Sequence, residues 1–327
     1  MRALRLMASL VATLVLLVGC STAESPAPSP PSTDDPTTLE TDPTPSAWQE
    51  ITTESAGFEP RGLAIDAQGT VYATVLERGQ SRILKLSPNG DPLASLGGAG
   101  KEPGQFQNLS GIALDSEGNI YVADTDNHRV QKLSANGEPL AQWGESGDRK
   151  GEFSFPRAVA LDDAGNVYVA DTFNDRIQML SPQGEPLAVW GRSGSAVGQF
   201  REPSGIALDA EGNVYVADTR NDRIQKFSSR GEPLLMWGSF GRSPDRMQEP
   251  LGIAVGADGD VYMADTGNHR VTRFSPLGQR RQQWGARGSG AGDFLGPRAI
   301  AVDSGGNVYV ADSGNQRIQR LPPQSEP

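Results

Sequence analysis

The residues GNVYVADT stand at Gly165–Thr172 and again at Gly212–Thr219. Close copies begin at Gly118, Gly259 and Gly306, and read GNIYVADT, GDVYMADT and GNVYVADS. β-Branched and aromatic residues recur in this phrase with a period of two, which is typical of a β-strand. A phrase that one chain repeats five times indicates a repeat architecture, so the length of the repeat has to be established first.

A second phrase, GIALD and its relatives, sets the period of the repeat. Its copies begin at Gly62, Gly111, Ala158, Gly205, Gly252 and Ala299. The first step is 49 residues and the next four are 47 each, because two extra residues follow Val75. Two further strands are expected in each unit, as at Arg223–Ser228 and Glu232–Gly238, with Gly and Pro turns between strands. Four short strands in each of six units of about 40–50 residues predict an all-β protein, a six-bladed β-propeller.

The two ends of the repeat predict how the ring closes. The last unit has three strands and then ends in PPQSEP, so its fourth strand is missing. At the other end, the segment Ser46–Thr52 precedes the first unit, and its Trp48 aligns with Trp143 of the second unit if one loop residue is lost. We expect this N-terminal segment to supply the outer strand of the last blade. Closure of this kind removes the open sheet edges that favour aggregation.

Residues 1–19 have the features of a lipoprotein-type signal peptide. Arg2 and Arg5 precede the uncharged run Leu6–Val18, which is too short for a comfortable membrane span. The run ends in LVGC, Leu17–Cys20, and this resembles the bacterial lipobox, in which the cysteine receives a lipid. We therefore expect an exported protein, anchored through its lipid to the outer face of the cell membrane or within the bacterial envelope. The alternative is an ordinary cleaved signal peptide followed by an incidental cysteine.

Residues 20–45 are expected to form a disordered tether, because their Pro, Ser, Thr and acidic residues cannot bury enough surface to fold. A binding motif within the tether is the alternative. Seven acidic residues and no basic ones lie between Ser21 and Ala56, so the net charge of −11 falls largely there. The globular part, 46–327, is mildly acidic and predicts no nucleic-acid partner. We expect it to be a monomer, and one cysteine excludes an intrachain disulfide.

The repeat resembles the NHL-repeat family. The resemblance rests on P-x-GIALD-x-x-GNVYVADT-x-N-x-RIQ-x-F ending in WG, as in Pro203–Gly238, and it extends over Trp48–Leu321. It implies a six-bladed propeller. It also implies that the loops from second to third strand and from blade to blade share one face, where known members bind partners.

The Asp of the phrase is predicted to be structural. Asn follows it three residues later and Arg five residues later, so the carboxylate can accept turn N–H groups and pair with a guanidinium. A set that recurs in five blades belongs more simply to the blade than to one active site, and in the first blade Val75 takes the Asp position. The set comprises Asp124, Asp171, Asp218, Asp265 and Asp312 with Arg129, Arg176, Arg223, Arg270 and Arg317.

Candidate ligand-binding residues lie where the repeats differ. His128 and His269 share one position on the opposite blades two and five. Arg61, Arg157 and Arg298 share another position, just before the first strand, where the remaining blades carry Ser, Ser and Leu. A guanidinium offers a fork suited to carboxylate or phosphate, so the three arginines predict an anionic ligand. Alternatively, each arginine pairs with a neighbouring acid such as Glu59 or Glu152, or is solvated.

Two histidines cannot form a three-histidine metal site, so no metal and no cofactor are expected; a carboxylate-bound Ca²⁺ is an alternative. We found no catalytic constellation, and the expectation is a protein that is not an enzyme. The function expected is a non-catalytic binding or scaffold module for a protein, peptide or glycan at the loop face. The rival is an extracytoplasmic metal-dependent lyase of the propeller type. RNA binding, known for eukaryotic relatives of the NHL family, is a third class that export and low basic charge argue against.

The lipid anchor can be tested by replacing its cysteine. Cys20→Ser removes the thiol that would carry the lipid, and stable anchoring needs acyl chains that contribute about 0.8 kcal/mol per buried CH₂. We expect the variant to leave the detergent phase in a phase-partition experiment, while the wild-type protein stays there. Equal partitioning of the two proteins would contradict the lipoprotein prediction.

Overall fold

The computed structural model describes residues 47–51 and 58–323, and it confirms the six-bladed β-propeller. Six four-stranded antiparallel sheets, the blades, surround a central axis. The predicted signal peptide, Cys20 and the tether lie outside the described residues. Within the part of the chain that is described, no helix has the length and apolar character needed to cross a membrane.

The strands are numbered β1–β26 in chain order, and each blade runs from its innermost strand outward. Blade one contains β2 Phe58–Ile65, β3 Val71–Glu77, β4 Gln80–Leu86 and β5 Pro92–Leu96. Blade two contains β8 Leu109–Leu114, β9 Ile120–Asp124, β10 Arg129–Leu133 and β11 Pro139–Trp143. Blade three contains β12 Ala158–Leu161, β13 Val167–Asp171, β14 Arg176–Leu180 and β15 Pro186–Trp190.

The remaining blades follow the same plan. Blade four contains β16 Pro203–Leu208, β17 Val214–Asp218, β18 Arg223–Phe227 and β19 Pro233–Trp237. Blade five contains β20 Pro250–Val255, β21 Val261–Asp265, β22 Arg270–Phe274 and β23 Arg280–Trp284. Blade six contains β24 Pro297–Val302, β25 Val308–Asp312, β26 Arg317–Leu321 and β1 Gln49–Glu50. A short parallel pair, β6 Gly98–Ala99 and β7 Gln105–Phe106, joins blades one and two.

A 3-10 turn connects the second strand to the third in blades two to six. These turns are Thr125–Asn127, Thr172–Asn174, Thr219–Asn221, Thr266–Asn268 and Ser313–Asn315. In blade one a longer β-hairpin replaces the turn, with Arg78 and Gly79 at its tip, and this accounts for the first repeat of 49 residues.

The innermost strands β2, β8, β12, β16, β20 and β24 contact one another in a closed ring around the axis. Their close approach explains why GIALD and its relatives begin with Gly or Ala. The backbone N–H of Gly111 donates to the carbonyl of Arg157 in the next blade at 2.7 Å. A Cβ at Gly111 would lie 2.7 Å from the Cα of Ala158, so a larger side chain there would push the two blades apart.

The hydrophobic core lies between neighbouring blades. Tyr121 and Val130 of blade two, for example, pack with Phe153, Val159 and Val167, which belong to blade three and the loop that leads into it. The second strand of each blade is buried along its whole length or nearly so, because both of its faces are covered by neighbouring blades. The repeated phrase is therefore apolar because it forms the most enclosed strand of the blade.

The N-terminal strand closes the ring as predicted, because β1 pairs antiparallel with β26 and completes the sheet of blade six. Its register differs from the alignment that was based on tryptophan. The N–H of Ile51 donates to the carbonyl of Ile318 at 3.0 Å, so Ile51 takes the position that Trp143 takes opposite Val130 in blade two.

Trp48, which the sequence alignment placed in that position, has another role. Its ring packs edge-on against Trp284 and Phe294, with centroids 6.4 Å and 5.3 Å apart. Trp48 therefore fills the space between blades five and six, and the alignment was wrong because it matched a residue type instead of a backbone pairing.

The closing strand can be tested by comparing two truncated proteins. A chain that starts at Ala47 keeps β1, whereas a chain that starts at Thr52 loses β1 and Trp48 and exposes the edge of β26. We expect the shorter protein to have a clearly lower melting temperature, because it loses a buried aromatic residue and the four-stranded sheet of blade six becomes three-stranded. Loss of a buried Trp side chain alone costs about 3–5 kcal/mol. Circular dichroism would measure both. Equal melting temperatures would contradict the closing role of β1.

Candidate functional site: the central cavity

The repeated Asp accepts hydrogen bonds from several groups inside the blade, and Asp218 of blade four accepts from four of them. Asp218 is fully buried. Its Oδ2 accepts from Arg223 Nε at 2.7 Å, Asn221 Nδ2 at 2.9 Å and Gln225 Nε2 at 3.0 Å. Its Oδ1 accepts from the backbone N–H of Arg201 at 2.8 Å. These contacts of the carboxylate are therefore all with residues of blade four and of the loop that leads into it.

The paired arginine extends the network to the loop that leads into the blade. Arg223 Nη2 donates to the carbonyls of Ala196 and Gln199 at 2.9 and 2.8 Å. The equivalent pairs in the other blades are Arg129–Asp124, Arg176–Asp171, Arg270–Asp265 and Arg317–Asp312. Blade one departs as its sequence indicates, since Val75 lies opposite Arg82 and this arginine pairs with Glu77. The structural role of these residues stays a prediction, which a substitution in blade four can test.

The threonine that follows the Asp links each blade to the next one. The hydroxyl of Thr219 donates to the carbonyl of Pro250, which begins blade five, at 2.7 Å. At the closure of the ring, Ser313 of blade six donates in the same way to the carbonyl of Pro60 in blade one. The last two residues of the repeated phrase thus fix the loops within a blade and the spacing between blades.

These fixed loops surround a central cavity of about 580 Å³ on one face of the ring. Arg61, Arg157 and Arg298 line it, so the structure brings together the three arginines that the sequence selected. Ser110, Ser204 and Leu251 occupy the same position in the other blades and also line the cavity. Its size falls within the range of small-molecule sites, about 300–1,000 Å³.

The three arginines have acidic neighbours, but these are shared. Glu59 lies between Arg61 and Arg298, at 3.5 Å and 3.4 Å from their guanidinium nitrogens. Arg157 lies 4.0 Å from Glu202. The sequence alternative named Glu59 correctly, whereas Glu152 instead accepts a hydrogen bond from the backbone N–H of Arg149.

The arginines also act on one another across the cavity. Burial lowers the pKa of Arg157, Glu202 opposes this shift, and the positive charges of Arg298, Arg220 and Arg61 lower it further. Burial likewise lowers the pKa of Arg298, with Glu59 opposing and Arg61 adding to the shift. A positive charge is therefore less well stabilised in this cavity than in water.

Several cavity residues were not selected from the sequence, among them Phe155, Phe173, Arg220 and Glu249. Arg220 pairs with Glu202 at 3.5 Å and with Glu249, so it joins the loops that lead into blades four and five. Phe173 and Arg220 each follow the repeated Asp-Thr pair, at a position that holds Asp126 in blade two and glycine in blades five and six. Variation at this position of the repeat was the signal by which the sequence could have identified Phe173 and Arg220.

His128 and His269 do not line the cavity. Nδ1 of His128 accepts from the N–H of Phe155 at 3.2 Å, and Nδ1 of His269 accepts from the N–H of Gly296 at 3.0 Å. Burial lowers the pKa of His269, and Arg287 and Arg242 lower it further, which favours the neutral ring that this bond needs. Ligand binding by the two histidines stays a prediction, and each already makes a bond between blades.

The same bond is made by an aspartate in blades three and four, whereas Gln316 occupies the position in blade six. Asp175 and Asp222 occupy the histidine position in blades three and four, and they accept from the N–H groups of Glu202 and Glu249 at 2.8 Å. The position therefore requires an acceptor, which a histidine or an aspartate supplies. No group of three or more His, Cys, Asp or Glu residues placed to hold a metal ion occurs in residues 47–51 and 58–323.

The chain is similar to known proteins at two levels. The NHL repeat family matches residues 106–133, 200–227, 247–274 and 294–321, which lie in blades two, four, five and six. A streptogramin B lyase superposes with a TM-score of 0.60 at 15% identity, over 84% of this chain and 96% of the lyase. A gluconolactonase from Xanthomonas campestris superposes with a TM-score of 0.61 at 17% identity, over 81% and 86%. No curated protein sequence matches the chain.

These comparisons correct the expectation that the protein is not an enzyme. A virginiamycin B lyase from Staphylococcus aureus has the same fold as well, with a TM-score of 0.59 at 16% identity over 84% of each chain. The expectation rested on the observation that two histidines are too few for a three-histidine metal site. The fold, however, is shared with enzymes of two kinds. At these identities the likeness defines the fold, and the chemistry has to come from the cavity itself.

The structural role of the repeated Asp can be tested in blade four. Asp218→Ala leaves the guanidinium of Arg223 buried without its carboxylate, and breaking a buried ion pair in this way costs about 3–5 kcal/mol. We expect that loss in the free energy of unfolding, measured by urea denaturation. Asp163→Ala, at an exposed turn position, is the control and should change stability by less than about 0.5 kcal/mol. An Asp218→Ala protein of wild-type stability would contradict the structural assignment.

Proposed function

We propose that the central cavity binds a small anionic ligand, or the anionic end of a larger one, through Arg61, Arg157 and Arg298. The observation that carries the proposal is the convergence of three arginines, from blades one, three and six, on one cavity. A carboxylate fits such a site, because a guanidinium can donate two parallel hydrogen bonds to it.

The charge distribution supports an anion in this place. Arg61 and Arg298 share Glu59. Burial lowers the pKa of Arg157, and the charges of the other arginines lower it further. An anion seated among them would offset this repulsion without any change in the fold. The fixed backbone of the ring would hold the guanidinium groups in place before the ligand arrives, which reduces the entropy that binding costs.

A second candidate function is chemical conversion of that ligand. It is favoured by the fold that the chain shares with a streptogramin B lyase and a gluconolactonase. In this cavity Glu202 or Glu249 would act as the general base, and Arg157 would stabilise negative charge that develops in the transition state. Incubation with a streptogramin B and with an aldonolactone would test it, since the double variant Glu202→Gln, Glu249→Gln should abolish any turnover seen with the wild-type protein.

We also propose that the propeller is displayed outside the cytoplasm, anchored through Cys20, and that its ligand belongs to a peptide, a protein or a glycan of that compartment. The proposal is supported by the lipobox-like Leu17–Cys20 and the apolar run before it. The Pro- and Ser-rich residues 20–45 would give the propeller reach from the membrane surface.

The anion site can be tested with a triple variant. Arg61→Ser, Arg157→Ser and Arg298→Ser together install the residue that Ser110 and Ser204 provide in blades two and four. We expect the immobilised wild-type protein to capture carboxylate ligands from an envelope extract less well as salt is added. The variant should capture little of them at any salt concentration, because the charges that attract the anion are gone.

The control is a triple variant with Arg192→Ser, Arg230→Ser and Arg287→Ser, three arginines outside the cavity lining that remove the same net charge. It should bind as the wild-type protein does, and both variants should keep a cooperative thermal transition. Unchanged capture and salt dependence in the cavity variant would refute the anion site.

A further inference from the structure

One wall of the cavity is aromatic. Phe155 and Phe173 both line it, with ring centroids 4.9 Å apart and planes tilted by 42°. The guanidinium of Arg157 lies over the ring of Phe173, 5.5 Å from its centroid. Phe173 is 49% exposed, although large apolar side chains of the blades are mostly buried. A cation and two accessible rings thus lie side by side at one sector of the cavity.

Phe155 is held in a backbone conformation that its side chain disfavours. Its φ is +49°, in the left-handed region, where a bulky residue is an outlier. The equivalent residues of the other repeats include Asn108 and Gly296, which tolerate this conformation well, and Glu202 and Glu249. Strained residues of this kind are concentrated at functional sites, because the surrounding structure has to hold them in place.

His128 holds Phe155 in two ways. Nδ1 of the histidine accepts the backbone N–H of Phe155 at 3.2 Å, and the two rings pack edge to face with centroids 4.5 Å apart. His269 makes the same backbone bond to Gly296, which has no ring to orient. His128 is therefore a positioning residue for the aromatic wall, and His269 is its natural counterpart without that role.

We propose that the cavity binds an aromatic carboxylate, with the ring of the ligand on Phe155 and Phe173 and its carboxylate on Arg157. The proposal rests on the anion site proposed above and specifies the rest of the ligand. Aromatic rings prefer offset or edge-to-face contacts with centroids about 4.5–7 Å apart, and a ligand ring can extend the existing pair in this way. A sugar acid would use the same arginine but gain less from two phenylalanines, which offer its hydroxyl groups no hydrogen bonds.

The test compares three carboxylates on the full chain by ligand-observed NMR titration. The probes are 2-naphthoate, acetate and glucuronate. We expect 2-naphthoate to bind most tightly. Phe173→Leu keeps an apolar side chain and removes the ring, and it should weaken 2-naphthoate binding about 3- to 10-fold, because aromatic pairs contribute about 0.5–1.5 kcal/mol and each 1.4 kcal/mol is tenfold. Acetate binding should not change.

Phe155→Asn gives a signature that a structural residue would not give. Asparagine, as at Asn108, suits the left-handed conformation, so the variant should melt at a higher temperature than the wild-type protein while it binds 2-naphthoate more weakly. The histidines supply a matched pair. Asparagine can accept the backbone bond as Asp175 does, so His128→Asn should weaken 2-naphthoate binding and His269→Asn should not.

The outcomes separate the two proposals. The aromatic subsite is refuted if the wild-type protein binds glucuronate as well as 2-naphthoate, or if Phe173→Leu does not weaken 2-naphthoate binding. The anion site still stands in that case if the three-arginine variant binds none of the carboxylates. If 2-naphthoate and acetate bind equally well to the three-arginine variant and to the wild-type protein, or neither binds the wild-type protein, the anion site itself fails for this class of ligand. Binding that depends on both the arginines and the two phenylalanines supports the subsite.

Discussion

The buried ion pair between Asp and Arg is the interaction on which the rest of this propeller depends. A carboxylate removed from water is costly unless a charge and further donors meet it, and in blade four Arg223, Asn221, Gln225 and a backbone N–H do so. The arginine then uses its outer nitrogens to hold the carbonyls of the incoming loop. These hydrogen bonds help to offset the cost of burying the charge, and they also fix a loop that has no regular secondary structure of its own.

Fixing the loops is what allows the cavity to be specific. Residues just before each inner strand and just after each repeated Thr reach the central cavity, and the frame beneath them is the same in five blades. Those positions can vary without disturbing the fold. Arginines, phenylalanines, serines and acids therefore line one cavity, although the chain builds every blade from nearly the same phrase.

The frame could be predicted from the sequence because it repeats. A period of 47 residues gave six blades, and the strands predicted at Arg223–Ser228 and Glu232–Gly238 are observed at Arg223–Phe227 and Pro233–Trp237. The cavity was predicted in part. The three arginines differ from serine and leucine at one position of the repeat, and that difference can be read directly.

The aromatic wall of the cavity and the register of the closing strand could not be predicted from the sequence, because they depend on backbone geometry. The residues around Phe155 in the sequence do not indicate that its φ is positive. They also do not indicate that His128, 27 residues earlier, accepts a hydrogen bond from its backbone N–H. Trp48 misled the alignment for a similar reason, since the pairing of Ile51 with Ile318 decides the register and a matching residue type does not. The judgement against catalysis failed differently. It rested on the number of histidines that one type of metal-dependent enzyme needs, whereas enzymes of more than one type have this fold.

The closure of the ring has a consequence for the order in which the protein folds. Arg320 donates to Gln49 across 271 residues, and Ser313 donates to Pro60 across 253. Contacts so far apart in the chain carry a large loop-closure entropy and form late. Blades one to five can each assemble from consecutive residues as the polypeptide lengthens, but blade six has to wait until both ends of the propeller exist. The cavity, which needs blade six for Arg298, is therefore the last part of the molecule to be completed.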